Sequence, residues 1–143
     1  MENTNGKNRL AIFLHSGDYD RLHQGAAIAA AGAAAGRPVE VYFFWWALER
    51  LVGGQLARPS FAHARNEAHA EALVHRFEER AYPTAATLLE NARRSGHCRV
   101  FACSASMEML GIKPTTLEPM VDSILGWSAI LARTEGVADR YYL

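Results

Sequence analysis

Residues 98–111 decide the fold: Cys-Arg-Val-Phe-Ala-Cys over 98–103, then Ser-Ala-Ser-Met-Glu-Met-Leu-Gly over 104–111. The first half is a short apolar run with the look of a buried strand. The second reads as a short helix closed by Gly111. A strand that passes straight into a helix is the building unit of an α/β domain. Upstream, Arg9 to His15 (RLAIFLH) and Val39 to Phe44 (VEVYFF) are two more such runs. The first leads through His-Ser-Gly-Asp into an alanine-rich helix, Asp20 to Ala35, with Asp18 or Asp20 as its cap and Gly36 and Pro38 as its stop. The second continues into Trp45-Trp46 and a helix to Val52, ended by Gly53-Gly54. Phe61 to Ser95 reads as helical, broken at Tyr82-Pro83.

Downstream of the opening stretch, Pro114 starts a brief helix and Val121 to Leu125 is a fourth strand. Gly126 to Thr134 is a further helix, and Arg140 to Leu143 a last edge strand. Strands alternating with helices predict an α/β fold. The expected architecture is an open, mainly parallel sheet of about five strands with helices on both faces, flavodoxin-like or Rossmann-like. In the flavodoxin-like strand order 2-1-3-4-5, the third strand ends beside the first.

The chain's 143 residues suit one domain over 9–143, preceded by a polar, mobile tail at 1–8. That tail lacks the apolar core of a secretory signal, and no run of about 20 apolar residues is present to span a bilayer. Lys plus Arg and Asp plus Glu number 15 each, so the formal net charge is zero. Such a chain has no field to attract a polyanion, which argues against nucleic acid as a partner. Two cysteines without an export signal point to a cytoplasmic protein with free thiols. Neutral charge also gives little protection against self-association. Gly25, Ala29, Gly32 and Gly36 place small residues along the alanine-rich helix, suited to close packing on a sheet or on another subunit.

Cys103 is the leading candidate for chemistry. Ligands of open parallel sheets bind beyond the carboxyl ends of the strands, and Cys103 closes its strand. It also precedes the helix at Ser104 to Met107, whose N-terminal partial charge favours a thiolate. The competing reading is a small buried apolar residue, the usual state of a free cysteine. His15, at the end of the first strand, would favour the thiolate if close, or else is a satisfied core histidine. Ser106 is expected to cap the helix beside Cys103. Ser16, Gly17, Asp18, Trp45, Trp46, Ser104 and Met107 are expected to line the pocket.

Cys98 is a poor partner for Cys103. Five residues apart on one strand, the two face opposite ways and stand roughly 16 Å apart, beyond the roughly 7 Å that a disulfide tolerates. His63, Glu67, Glu71, His75 and Glu79 recur every four residues. Such spacing can serve zinc, yet no Cys-x-x-Cys or His-Glu-x-x-His accompanies it, so a solvated helix face is expected and no metal. Gly-x-Gly-x-x-Gly and Gly-x4-Gly-Lys are both absent, and no cofactor is expected. The aromatic run Phe43 to Trp46 is part core, with the rest walling a pocket or meeting a neighbouring subunit.

Four segments in order resemble the DsrE/DsrF-like family, in its branch with an aromatic second strand and a Cys-x-x-Ser-Met signature. They are Ser-Gly-Asp-Tyr-Asp (16–20), AAIAAAGAAAG (26–36), VEVYFFWWAL (39–48) and CSASMEMLGI (103–112). The resemblance runs from about Arg9 to Leu143, although the stretch from Gly54 to Gly96 matches no family motif. It implies a homo-oligomer, a trimer or hexamer. It also implies a sulfur carrier or sulfurtransferase that holds sulfane sulfur as a persulfide at the position of Cys103 and exchanges it with donor and acceptor proteins. Such a relay uses one thiol and neither metal nor cofactor. The alternatives are a non-catalytic oligomeric scaffold or binding protein and a single-thiol redox sensor.

Overall fold

The computed structural model describes residues 8–143. The expected tail lies outside the described residues except for Asn8, whose carbonyl accepts a hydrogen bond from Arg37 Nε at 2.9 Å. Five strands, β1 (Leu10–Leu14), β2 (Val39–Phe43), β3 (Cys98–Cys103), β4 (Ser123–Leu125) and β5 (Asp139–Tyr142), form one sheet in the order β4-β3-β2-β1-β5. Every neighbouring pair is parallel. The helices are α1 (Tyr19–Ala34), α2 (Trp45–Val52), α3 (Glu67–Glu79), α4 (Ala85–Arg94), α5 (Ser104–Met109), α6 (Pro114–Leu117) and α7 (Trp127–Arg133), with a 3-10 turn at Gln55–Ala57. The α/β class, the open parallel sheet and its five strands are as the sequence predicts.

The strand order is not the flavodoxin-like one. β2 stands between β1 and β3, so the first and third strands are two inter-strand spacings apart, about 10 Å. The order has a simple consequence for the layers. From β1 to β4 the chain steps across the sheet in one direction, and right-handed crossovers put its helices on one face. From β4 to β5 it steps back past three strands, so α7 must cross on the other face.

The two faces therefore differ in depth. On the first, Leu10, Ile12, Leu14, Val39, Val41, Phe43, Val100 and Ala102 join Leu22, Ala29 and Leu89 from α1 and α4 in the main core. The small stripe on α1 belongs here rather than to a subunit contact. A Cβ on Gly25 would lie 2.5 Å from Leu14 Cδ2, and one on Gly32 would lie 3.1 Å from Val39 Cγ2. Gly36 is beyond the helix, at φ +77°, and ends it. On the second face Ala11, Phe13, Tyr42, Phe44, Phe101 and Cys103 gather around Ile130 of α7. Burying Ile130 fixes that helix with about 1.5–3 kcal/mol.

Beneath α7 lies a polar cluster. Glu40, 8% exposed, accepts hydrogen bonds from Arg9 at 3.1 Å and Arg133 at 2.8 Å on Oε1, and from the Tyr42 hydroxyl on Oε2. Burial, and secondarily the Glu40 carboxylate, push the Tyr42 phenol up, so it stays a donor. Arg133 also sits 4.6 Å above the Phe101 ring.

Candidate functional site

The first-strand turn is built around close approaches. A Cβ on Gly17 would lie 3.0 Å from Trp46 Cβ, so only glycine lets α2 come this near. Ser16 Oγ accepts from Asp18 N–H at 3.1 Å. His15 N–H and Ser16 N–H both donate to the Leu143 carbonyl, at 2.7 and 3.3 Å, while the His15 carbonyl accepts from Ala47 N–H at 3.2 Å. Asp18 precedes α1, but its side chain makes no capping hydrogen bond and Asp20 lies within the helix. Asp18 instead meets His63 Nε2 at 2.8 Å. That hydrogen bond holds the Asp18 carboxyl below the usual carboxylate range and raises His63 above an ordinary imidazole.

At the carboxyl ends of β5, β1, β2 and β3 these turns enclose a cavity of about 430 Å³. Cys103, His15 and Ser106, all three of the chemical candidates, line it. So do Ser16 and Trp45 among the predicted pocket residues. Gly17, Asp18, Trp46, Ser104 and Met107 do not line it. Gly17 and Trp46 pack on each other, Asp18 is turned to His63, and Met107 belongs to the main core. Ser104 Oγ lies 3.5 Å from where a Cβ on Gly126 would stand.

Phe13, Arg21, Phe44, Ala105, Trp127, Tyr142 and Leu143 complete the lining, and of these only Phe44 falls in a run that the sequence offers as a pocket wall. Phe44 carried a signal, since it closes the aromatic strand. Tyr142 and Leu143 carried none, because they enter through the pairing of β5 with β1. The wall is largely aromatic: Phe13 stacks on Tyr142 at 4.8 Å and Phe44 on Trp127 at 4.9 Å between ring centroids. Trp45 adopts φ +43°, a left-handed backbone that a tryptophan rarely accepts. The strained residue is thus a wall of this cavity.

Cys103 is 2% exposed, and what it presents faces the cavity. His15 is exposed at the rim, two strands away, and no hydrogen bond joins the two among the described residues. The expected pairing of thiol and imidazole is therefore absent in this state. Ser106 is the third residue of α5 and buried; Cys103 itself precedes the helix, which has no side-chain cap. Both cysteines are free and buried. They face opposite cores, Cys98 the main one and Cys103 the thinner one. Burial pushes the Cys98 thiol up to about 12.

The His and Glu residues at four-residue intervals do not form a metal centre. α3 begins only at Glu67, His63 is bound to Asp18, and His75 meets Glu79 at 3.8 Å on the helix surface. Another groove, about 550 Å³, lies between Leu51, Leu56, Leu89 and Met120, and neither cysteine lines it. No described helix is long and apolar enough to cross a membrane. Compared with known proteins, the chain matches no family model and no curated protein.

Proposed function

We propose that the protein is a DsrE/DsrF-like sulfur carrier of the cytoplasm that relays sulfane sulfur on Cys103 between donor and acceptor proteins. The observation that carries the reading is the placement of a single thiol in an aromatic-walled cavity at the carboxyl ends of the strands. The motif resemblance around residues 16–20, 26–36, 39–48 and 103–112 supports it.

The chemistry is a balanced exchange. The Cys103 thiolate attacks the outer sulfur of a donor persulfide, a new S–S bond forms, and the donor's S–S bond breaks to release its thiolate. An acceptor thiolate then takes the same sulfur and returns Cys103 to a thiolate, with no net oxidation. Apolar walls suit this cargo, since a bound persulfide is shielded from water and from stray thiols. His15 at the rim and Arg21 in the lining are the titratable and cationic groups available to the incoming anion. Self-association belongs to the same proposal. Trp127, Leu131 and Tyr142 are exposed, and Trp127 and Tyr142 also line the cavity, so a second copy seated there would extend its wall.

The test is to incubate the protein with a small persulfide donor and read the intact mass. The expected product carries one added sulfur, lost in Cys103→Ser and retained in Cys98→Ala. A second reading, a non-catalytic binding protein, is favoured by the burial of Cys103. Absence of added sulfur in a protein whose Cys103 does react with a small alkylating agent overturns the carrier reading, and failure of Cys103 to react with any small electrophile in the folded protein decides for the second.

A further inference from the structure

We infer that the amino end of the sheet carries an anion site for a phosphate monoester, separate from the Cys103 cavity. A cavity of about 570 Å³ opens where β1, β2 and β3 begin and where α7 ends. Arg9, Glu40, His97, Arg99 and Arg133 line it. Three guanidinium groups thus face one carboxylate, an excess of two positive charges in a concave, polar space.

Glu40 has nothing further to offer. One oxygen is taken by Arg9 and Arg133, the other by the Tyr42 hydroxyl. The Arg99 and His97 side chains make no hydrogen bond or ion pair among the described residues, and Arg133 Nε is buried without a hydrogen-bond partner. Two of the guanidinium groups are held in place in advance. Arg9 bridges Glu40 and the Arg133 carbonyl, and Arg133 is clamped between Glu40 and the Phe101 ring. Planar, fixed guanidinium forks match the geometry of phosphate oxygens. A dianion cancels the excess charge, whereas a simple carboxylate leaves half of it. The volume exceeds what a bare phosphate fills, leaving room for an organic substituent.

The experiment titrates the full chain with phenyl phosphate, inorganic phosphate and acetate at constant ionic strength. Its readouts are the melting temperature and the arginine Nε–Hε NMR signals. A saturable rise with phenyl phosphate, smaller with inorganic phosphate and absent with acetate, is expected, together with a shift of the Arg133 signal. Arg99→Gln, at an exposed position, should weaken binding by about tenfold, the loss of one charge-assisted hydrogen bond. Arg76→Gln, on α3 over the opposite face, should leave it unchanged. A rise that never saturates, that is equal in the two variants, or that comes without a shift of Arg133 overturns the site. Equal binding of free phosphate and the ester overturns the monoester assignment.

Discussion

Two side chains of the same type occupy very different environments five residues apart. Cys98 packs in the main core, and burial pushes its thiol up to about 12. Cys103 borders a cavity. Native protein at pH 8 is therefore expected to be alkylated only at Cys103, with Cys98 reacting after denaturation. Peptide mapping of the labelled chain checks this, and native labelling of Cys98 would contradict the core placement. The Asp18–His63 contact makes a second prediction at this scale. His63 has a raised pKa in the fold, so its contribution is complete below the unfolded value of about 6.5 and is lost as pH rises through the folded value. Asp18 has a lowered one, so the contact also fails when acid protonates the carboxylate. Amide protection around residues 60–66, taken relative to the intrinsic exchange rate at each pH, should be greatest in mildly acidic solution and fall toward pH 8. A His63→Ala variant should show no such change. Cys103 and His15 were legible in the sequence because strand ends are visible in a run of apolar residues. Arg21 was not, since which turn of a helix faces a cavity depends on how the helix is laid on the sheet.

Among the elements, α1 shows how far local composition reaches. Its glycines lower helix propensity, and they persist because β1 and β2 come so near. Gly25→Val should cost about 1–3 kcal/mol through overpacking against Leu14. A lower denaturant midpoint with an unchanged slope is the expected result; an unchanged midpoint would mean Leu14 can turn aside. Element boundaries were readable to within a residue or two: β3 spans Cys98–Cys103 and α1 spans Tyr19–Ala34, close to the predicted ranges. The turn at residues 61–66 was not, because its alanines and histidine imitate the helix that follows. The backbone of Trp45 was equally hidden. Nothing in a row of aromatic residues announces a left-handed turn; it follows from the abrupt change of direction between β2 and α2.

At the scale of the molecule, the order of the strands was the feature least available from sequence. Apolar runs buried on both faces carry no label for their neighbours, and the order emerges only from how the helices share space. That order leaves one face to a single short helix, with Trp127, Leu131 and Tyr142 open to solvent. If copies of the chain associate through this face as proposed, Leu131→Glu should shift the light-scattering mass to that of one chain. A wild-type protein already monomeric at high concentration would remove the proposal. α7 has a further consequence. It is seven residues long, about 10 Å from end to end, with Trp127 on the wall of one cavity and Arg133 on the wall of the other. Ligands at its two ends are coupled if each favours a different placement of α7, and thermodynamic reciprocity then requires the effect to be equal in both directions. A neutral aromatic probe bound beside Cys103 should therefore change its affinity when phenyl phosphate is added, and phenyl phosphate should change its own affinity by the same factor when the probe is present. Identical probe affinities with and without the phosphate would show α7 to be a fixed strut, and the two ends of the sheet to be thermodynamically independent.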